Sequence, residues 1–371
     1  MPLLLHIEKV IGRKLVFLLL FFLVSQTLSV INAVNINSFL LVYKNIIESL
    51  LIFCAGVAIL NSDRRKVIFV RIVVATIVIN LIYQLLLFVV PTFFMQQFQL
   101  IMYEKYWEVL ALNADRGRFF VDNYDPALIP FVLYLLYKVE GKFYKLTFVF
   151  VALMELLVAI LSGFRTHFLV YIIAFFGGVV SISSQKKLFF GAILSLVIFS
   201  GVIFKTQNID YRNSLDRLIM PASEDYSSIN SRIEFWRQSL EMGLSSPWFG
   251  VGLGNYFDNF QNKELLKLSY FDWKNEFELV TINHPHNIFF STFAETGLVG
   301  LVAFSLLHLY FAASDYSYFK KRGALFRTGV ISFWGLFMFS LLIPANTIQF
   351  LSIYWAIRAI LVNNKIRIQK K

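Results

Sequence analysis

Apolar runs long enough to cross a bilayer as helices recur along this chain, at 15–34, 38–60, 67–90, 145–162, 166–183, 187–204, 287–312, 326–344 and 347–364. A shorter run at 126–137 completes a span if its start moves back a few residues, which brings the count to about ten. Hydrocarbon offers no partner to a backbone N–H or C=O, so runs of this kind have few options beyond helices. The predicted fold class is therefore all-α and polytopic. Composition agrees, because 58% hydrophobic against 15% charged residues lies well outside the soluble average. Arg13 and Lys14 before the first run resemble a secretory signal, but that run is long for one and reads as the first span.

The formal charge of +11 raises the possibility of nucleic acid, yet the basic residues form neither a face nor a tail. They cluster at Lys9/Arg13/Lys14, Arg64/Arg65/Lys66, Lys138/Lys142/Lys145, Lys186/Lys187, Lys320/Lys321/Arg322/Arg327 and Lys365/Arg367/Lys370/Lys371. Each cluster falls in every second connection or at an end of the chain. The connections between them carry little positive excess, and the long one at 205–285 has more acids than bases. An even number of spans with both termini cytoplasmic accounts for this alternation. The division that follows is 1–204 with about seven spans, 205–285 as a large extracytoplasmic loop with short amphipathic helices, and 286–371 with about three spans. It places Arg165, the one charge in the turn Ser162-Gly-Phe-Arg165-Thr-His167, on the same membrane surface as the loop ending at His286. Cys54, the single cysteine, leaves no disulfide or thiolate metal cluster to consider.

Within the loop, residues 230–240 read as a helix, with Ser231 and Glu234 spaced as a capping box. Ile233, Trp236, Leu240 and Leu244 form its apolar stripe, Arg232 and Trp236 stand one turn apart, and Ser246-Pro247 ends it. The bland reading is an interfacial helix whose arginines meet lipid phosphates. Gly250-Val-Gly252-Leu-Gly254 superficially resembles a dinucleotide fingerprint, but the spacing is wrong and no parallel-sheet unit precedes it. A tight turn bringing backbone close to a membrane helix or a phosphate suits it better.

The segment His284-Pro285-His286-Asn287 meets the next apolar run at once. Pro285 suits a first helical position, which predicts His286 in the first turn of a spanning helix. The positive helix end disfavours imidazolium there, and a neutral imidazole is what a general base requires. Ala294, Gly297 and Gly300 recur at every third residue and predict a groove for a close-packed neighbouring helix. Glu295 is an acid inside an apolar helix, so a functional or paired role is its default. His284 and His286 lack the i, i+4 spacing of a helical metal pair, and no metal is expected. His6, His167 and His308 read as structural. Lys44, Glu48, Glu155 and Arg358 read as candidates for pairing within the bundle.

Together these residues resemble the superfamily of O-antigen ligases and polysaccharide polymerases, bacterial inner-membrane glycosyltransferases. The resemblance rests on Arg232 before Trp236, on Pro247-Trp-Phe-Gly250-Val-Gly252-Leu-Gly254-Asn255, and on His286-Asn287 followed after nine residues by Gly297-x-x-Gly300. Arg165 looks like the family's upstream arginine. The resemblance implies a plan similar to the C-type glycosyltransferases and transfer of a glycan from undecaprenyl diphosphate without metal or cofactor. The acceptor it implies is a sugar hydroxyl, on lipid A-core for a ligase or on a second lipid-linked repeat for a polymerase. Carried over residue by residue, His286 acts on the acceptor hydroxyl, and Arg165 and Arg232 bind the diphosphate. Arg237, His284, Asn287 and Glu295 are weaker candidates beside them. The expected partners are these lipid-linked glycans and membrane lipids, with no nucleic acid.

A transporter or flippase of polysaccharide precursors is the rival class. It calls for internal repeats and buried charge in several spans. This chain instead concentrates its ionisable residues in one outer loop, which favours the enzyme.

Overall fold

A computed structural model describes residues 10–89, 124–161, 165–182, 223–260, 285–342 and 348–363, and ten α-helices with no strand are found among them. They are α1 (Arg13–Leu28), α2 (Ile36–Ile59), α3 (Asp63–Val89), α4 (Asp125–Lys138), α5 (Lys142–Leu161), α6 (Arg165–Ile182), α7 (Ser223–Ser245), α8 (Ile288–Phe319), α9 (Ala324–Ser340) and α10 (Ile348–Asn363). The apolar runs reappear in order, with one at 187–204 lying outside the described residues. Among the described residues, five helices are long and apolar enough to cross a membrane, and three more are apolar but shorter. The expected all-α, membrane-like class is the observed one. Helix α7 also extends beyond its expected start, from Ser223 rather than Asn230.

The chain forms two compact units, one built from residues 1–65, 223–322 and 340–371 and the other from 66–222 and 323–339. In the first, α2 packs on α10, and α8 packs on both α1 and α7. The α2–α10 seam is close because Gly56 faces Ala359, where an added Cβ would stand 2.7 Å from the alanine methyl. Arg358 of α10 is fully buried and pairs with Asp315 of α8 at 2.7 Å, its guanidinium 3.9 Å above the ring of Phe311. His308 bonds the Phe304 carbonyl and the Tyr354 hydroxyl, both at 2.7 Å, in keeping with a structural role. Lys44 and Glu48 form an exposed i, i+4 pair at 3.7 Å.

In the second unit, α4 is buried along most of its length and packs on α5 and α6. Gly178 lets α6 approach α4, since a Cβ there would meet Pro130 Cα at 3.2 Å. Asp125, at the start of α4, accepts from the Asn80 amide at 3.3 Å. Glu155 of α5 is likewise buried. The Tyr171 hydroxyl donates to the Ala152 carbonyl at 2.7 Å.

Candidate active site

Helix α8 holds the site, and it is not one continuous helix. Gly297 adopts φ 63 and ψ −162, a region that side chains other than glycine's scarcely enter. The break frees backbone groups at depth in an apolar segment, and each needs a partner. The glycine-rich loop after α7 supplies them. Leu298 N–H bonds the Pro247 carbonyl at 2.7 Å and Val299 N–H the Trp248 carbonyl at 3.2 Å. In return, Val251 N–H bonds the Ala294 carbonyl at 2.9 Å and Gly252 N–H the Glu295 carbonyl at 3.0 Å. The Ala294/Gly297/Gly300 spacing thus receives a loop and not the neighbouring helix that was predicted. Two backbones meet here, and a Cβ at Gly297 would lie 2.5 Å from the Trp248 carbonyl carbon.

The other edge of the loop is fixed to the corner between α1 and α2. Asn32 donates to Ser246 Oγ at 2.7 Å and to the Gly250 carbonyl at 2.9 Å. Asn255 accepts from the Asn35 N–H at 2.5 Å and donates to the Asn35 carbonyl at 3.1 Å. Leu253 N–H reaches Ser29 Oγ at 3.1 Å. Gly250, Gly252 and Gly254 all have positive φ, so the glycine pattern serves backbone approach to a helix, one of the two options left open by the sequence.

The Glu295 side chain is buried, with the backbone of Gly254 and Tyr256 close enough to act on its carboxylate. The Tyr256 hydroxyl in turn donates to the Phe235 carbonyl of α7 at 2.8 Å. Phe235, Met242, Val251, Tyr256, Phe260 and Ala294 make one buried cluster under these bonds. At about 1.5–3 kcal/mol for each large apolar side chain buried, this cluster holds α7 and the loop against α8. Trp236 adds a second attachment, donating Nε1–H to the Pro285 carbonyl at 3.0 Å and stacking on Phe290 at 5.3 Å.

His286 stands before α8, not in its first turn as the proline had suggested. Asn287 is the N-cap, its side chain accepting from Phe289 N–H at 2.9 Å and Phe290 N–H at 3.3 Å. Asparagine satisfies two orphan amides there, which a proline-led start does not. His286 itself has φ 52 and is the only described residue other than glycine with positive φ. Such backbone strain concentrates where surrounding structure must hold a side chain in one place. Its ring lies 6.2 Å from that of Phe235 in a near-parallel arrangement. The Leu342 backbone lies close enough to the ring to favour its protonated form. Burial, and after it the charge of Arg232, lowers His286 from 6.5 to about 4, against the opposing pull of the Leu342 carbonyl. The imidazole is neutral at physiological pH.

Arg232 is partly buried on the flank of α7, one turn before Trp236 and close enough for its charge to act on His286. Arg237 faces outward and is engaged. Its Nε and Nη2 reach the Glu234 carboxylate at 2.7 and 2.5 Å, and Nη1 reaches Glu241. The predicted stripe of α7 splits: Ile233, Leu240 and Leu244 are exposed, as a membrane-facing stripe requires, whereas Trp236 is drawn into the seam with α8. Arg165 begins α6 in the second unit. His284 lies outside the described residues.

Residues 147–305 match the family described as O-antigen ligase. Over that segment the match supports the O-antigen ligase superfamily. The match spans Arg165, the arginines of α7, the glycine loop, His286-Asn287 and the Gly297-x-x-Gly300 break, so every motif behind the resemblance falls inside it. No curated protein matches the chain. Members of the superfamily are glycosyltransferase-like enzymes working on lipid-linked glycans, and an all-α chain with several membrane-length helices suits a bacterial membrane enzyme of that type. Three features of this site escaped sequence reasoning: the Leu342 backbone beside His286, the Asn35–Asn255 clamp and the surroundings of Glu295. All three are long-range contacts. Only the alternating glycines gave a local signal of the loop's close approach.

Proposed function

We propose that this protein joins a glycan carried on undecaprenyl diphosphate to an acceptor sugar hydroxyl at the outer face of the bacterial inner membrane. The single observation that carries the reading is His286: a neutral imidazole at the start of α8, under the charge of the Arg232 guanidinium. In this reaction the acceptor oxygen bonds to the anomeric carbon of the reducing-end sugar. The bond from that carbon to the diphosphate oxygen breaks, and its electron pair leaves with the lipid diphosphate. The acceptor proton passes to the imidazole of His286. Arg232 meets the diphosphate, where a guanidinium fork stabilises charge as it develops. Arg165 serves as a second diphosphate ligand on the strength of the family resemblance. The alternation of basic clusters supports cytoplasmic termini and a periplasmic site.

The intact His-Asn, nine residues, Gly-x-x-Gly spacing favours the ligase type, with lipid A-core as acceptor. Purified protein in detergent, given lipid-linked oligosaccharide and acceptor, tests the reaction. His286→Ala and Arg232→Ala are expected to lose product while remaining folded, and unchanged product in both ends the proposal. The glycan profile of a deletion strain tests the type. Full-length polymer stranded on the carrier supports a ligase, while single repeats on lipid A-core identify a polymerase.

A further inference from the structure

We infer that Trp236 is a positioning residue for transfer: from α7 its indole fixes the backbone entering His286 and so holds the imidazole in place for the acceptor hydroxyl. The inference rests on the transferase reading above. Trp236 Nε1–H donates to the Pro285 carbonyl at 3.0 Å, and the indole lies on the Phe290 ring at 5.3 Å with the planes 10° apart. On the other side of His286, the Asn287 side chain accepts from the Phe289 and Phe290 N–H groups and sets the first turn of α8. The residue between these two anchors is the one with φ 52. Such a conformation persists where the structure around it over-determines the backbone. Phe235, the neighbour of Trp236 on α7, places its ring 6.2 Å from the imidazole and 23° from parallel. Two consecutive aromatic residues of one helix thus hold the backbone and the ring of His286.

An indole suits this task. A tryptophan that only anchors a helix at a membrane surface leaves its polar edge to headgroups and water. Trp236 is partly buried and commits its N–H to a protein carbonyl instead. That carbonyl belongs to the peptide bond entering His286, so the hydrogen bond fixes the plane from which the φ rotation of His286 starts. Pro285 is buried and has no N–H with which to anchor the segment itself. Arg232 lies four residues earlier on α7, one turn away, so the same seam keeps its charge near the imidazole. Phenylalanine at 236 retains a ring for Phe290 but has no N–H to donate, whereas alanine loses both attachments.

The test is the pH dependence of steady-state transfer by the purified full chain carrying Trp236→Phe, Trp236→Ala or His286→Ala. Misplacing a reacting group by about 1 Å costs on the order of a hundredfold. Trp236→Ala is therefore expected to lower kcat about a hundredfold with KM nearly unchanged, and Trp236→Phe, which loses one hydrogen bond, about fivefold. The shape of the profile separates positioning from loss of fold. The groups acting on His286 are the Phe235 ring and Arg232 charge of α7 and the Leu342 backbone, and neither variant removes them. Burial holds the imidazole below its ordinary 6.5, so a ring released from the seam takes up a proton more readily. The acid limb of kcat/KM should then move up toward 6.5, further in Trp236→Ala than in Trp236→Phe. Less folded enzyme would lower the rate by one factor at every pH and leave the limb in place. Trp236→Phe keeps the stack on Phe290 and carries the test should Trp236→Ala fail to fold. Native kcat in either folded variant, or a loss with an unmoved acid limb, overturns the inference. Native transfer by His286→Ala would instead strike at the transferase reading itself.

Discussion

Replacing Gly297 by alanine separates a broken α8 from a continuous one by the sign of the effect. In a continuous helix, glycine to alanine stabilises by about 0.5–1 kcal/mol. At φ 63 and ψ −162 the same change imposes strain of about 1–3 kcal/mol. A Cβ would also stand 2.5 Å from the Trp248 carbonyl carbon and 2.6 Å from the Phe249 nitrogen. Backbone, not a rotatable side chain, must then retreat. That retreat threatens the Leu298–Pro247 and Val299–Trp248 hydrogen bonds, each worth about 0.5–1.5 kcal/mol net. Strain and lost bonds together amount to about 2–6 kcal/mol, a large part of a typical domain's stability. Gly323→Ala is the control, since nothing lies within 4 Å of its added Cβ and its effect should stay near zero. Denaturant unfolding in detergent, followed by far-ultraviolet circular dichroism, compares the midpoints. Gly297→Ala should unfold at clearly lower denaturant than both native protein and control. A midpoint equal to or above the control refutes the break.

Two further outcomes follow from the ion pairs. Asp315→Ala should destabilise by about 3–5 kcal/mol, because it strands Arg358 in a site with 0% exposure; the apolar pair Asp315→Leu/Arg358→Met should recover most of the loss in the same unfolding assay. Arg237→Ala should leave the transfer rate within about twofold of native, since Glu234 and Glu241 already hold its exposed guanidinium; a hundredfold loss would put that guanidinium on the substrate.

The fold was legible because its signal is local. Apolar length marked most of the helices to within a few residues, even at α4, where prolines and short length weaken the pattern; α8 runs on to Phe319, past the expected end at 312. The end of α7 was legible from Ser246-Pro247, but its start was not, since Ser231 and Glu234 satisfy the capping-box spacing while sitting inside a longer helix. At α8 the proline signal competed with an asparagine two residues later, and the side chain that satisfies two amides prevailed. The Ala-x-x-Gly-x-x-Gly spacing announced a close approach correctly without saying what approaches. A helix and a loop leave the same small-residue mark, and the difference lies in a positive φ that no neighbouring residue encodes. Arg358 was suspected of pairing, but Asp315 was not, because their contact joins two helices far apart in sequence. The catalytic candidate itself is legible from its neighbours, while the Leu342 backbone that acts on it lies beyond any local pattern.

The central claim is that His286 works as a neutral base under the charge of Arg232. The pH dependence of kcat/KM for transfer from lipid-linked donor, in native enzyme and in Arg232→Gln, tests it most directly. His286 is lowered from 6.5 to about 4, so its proton-accepting form persists well below neutrality and is lost only as pH falls through that lowered value. Native enzyme should show an acid limb below 6.5, and removing the cation should move that limb up toward 6.5. An acid limb at the ordinary imidazole position in native enzyme, unmoved in Arg232→Gln, would contradict the claim.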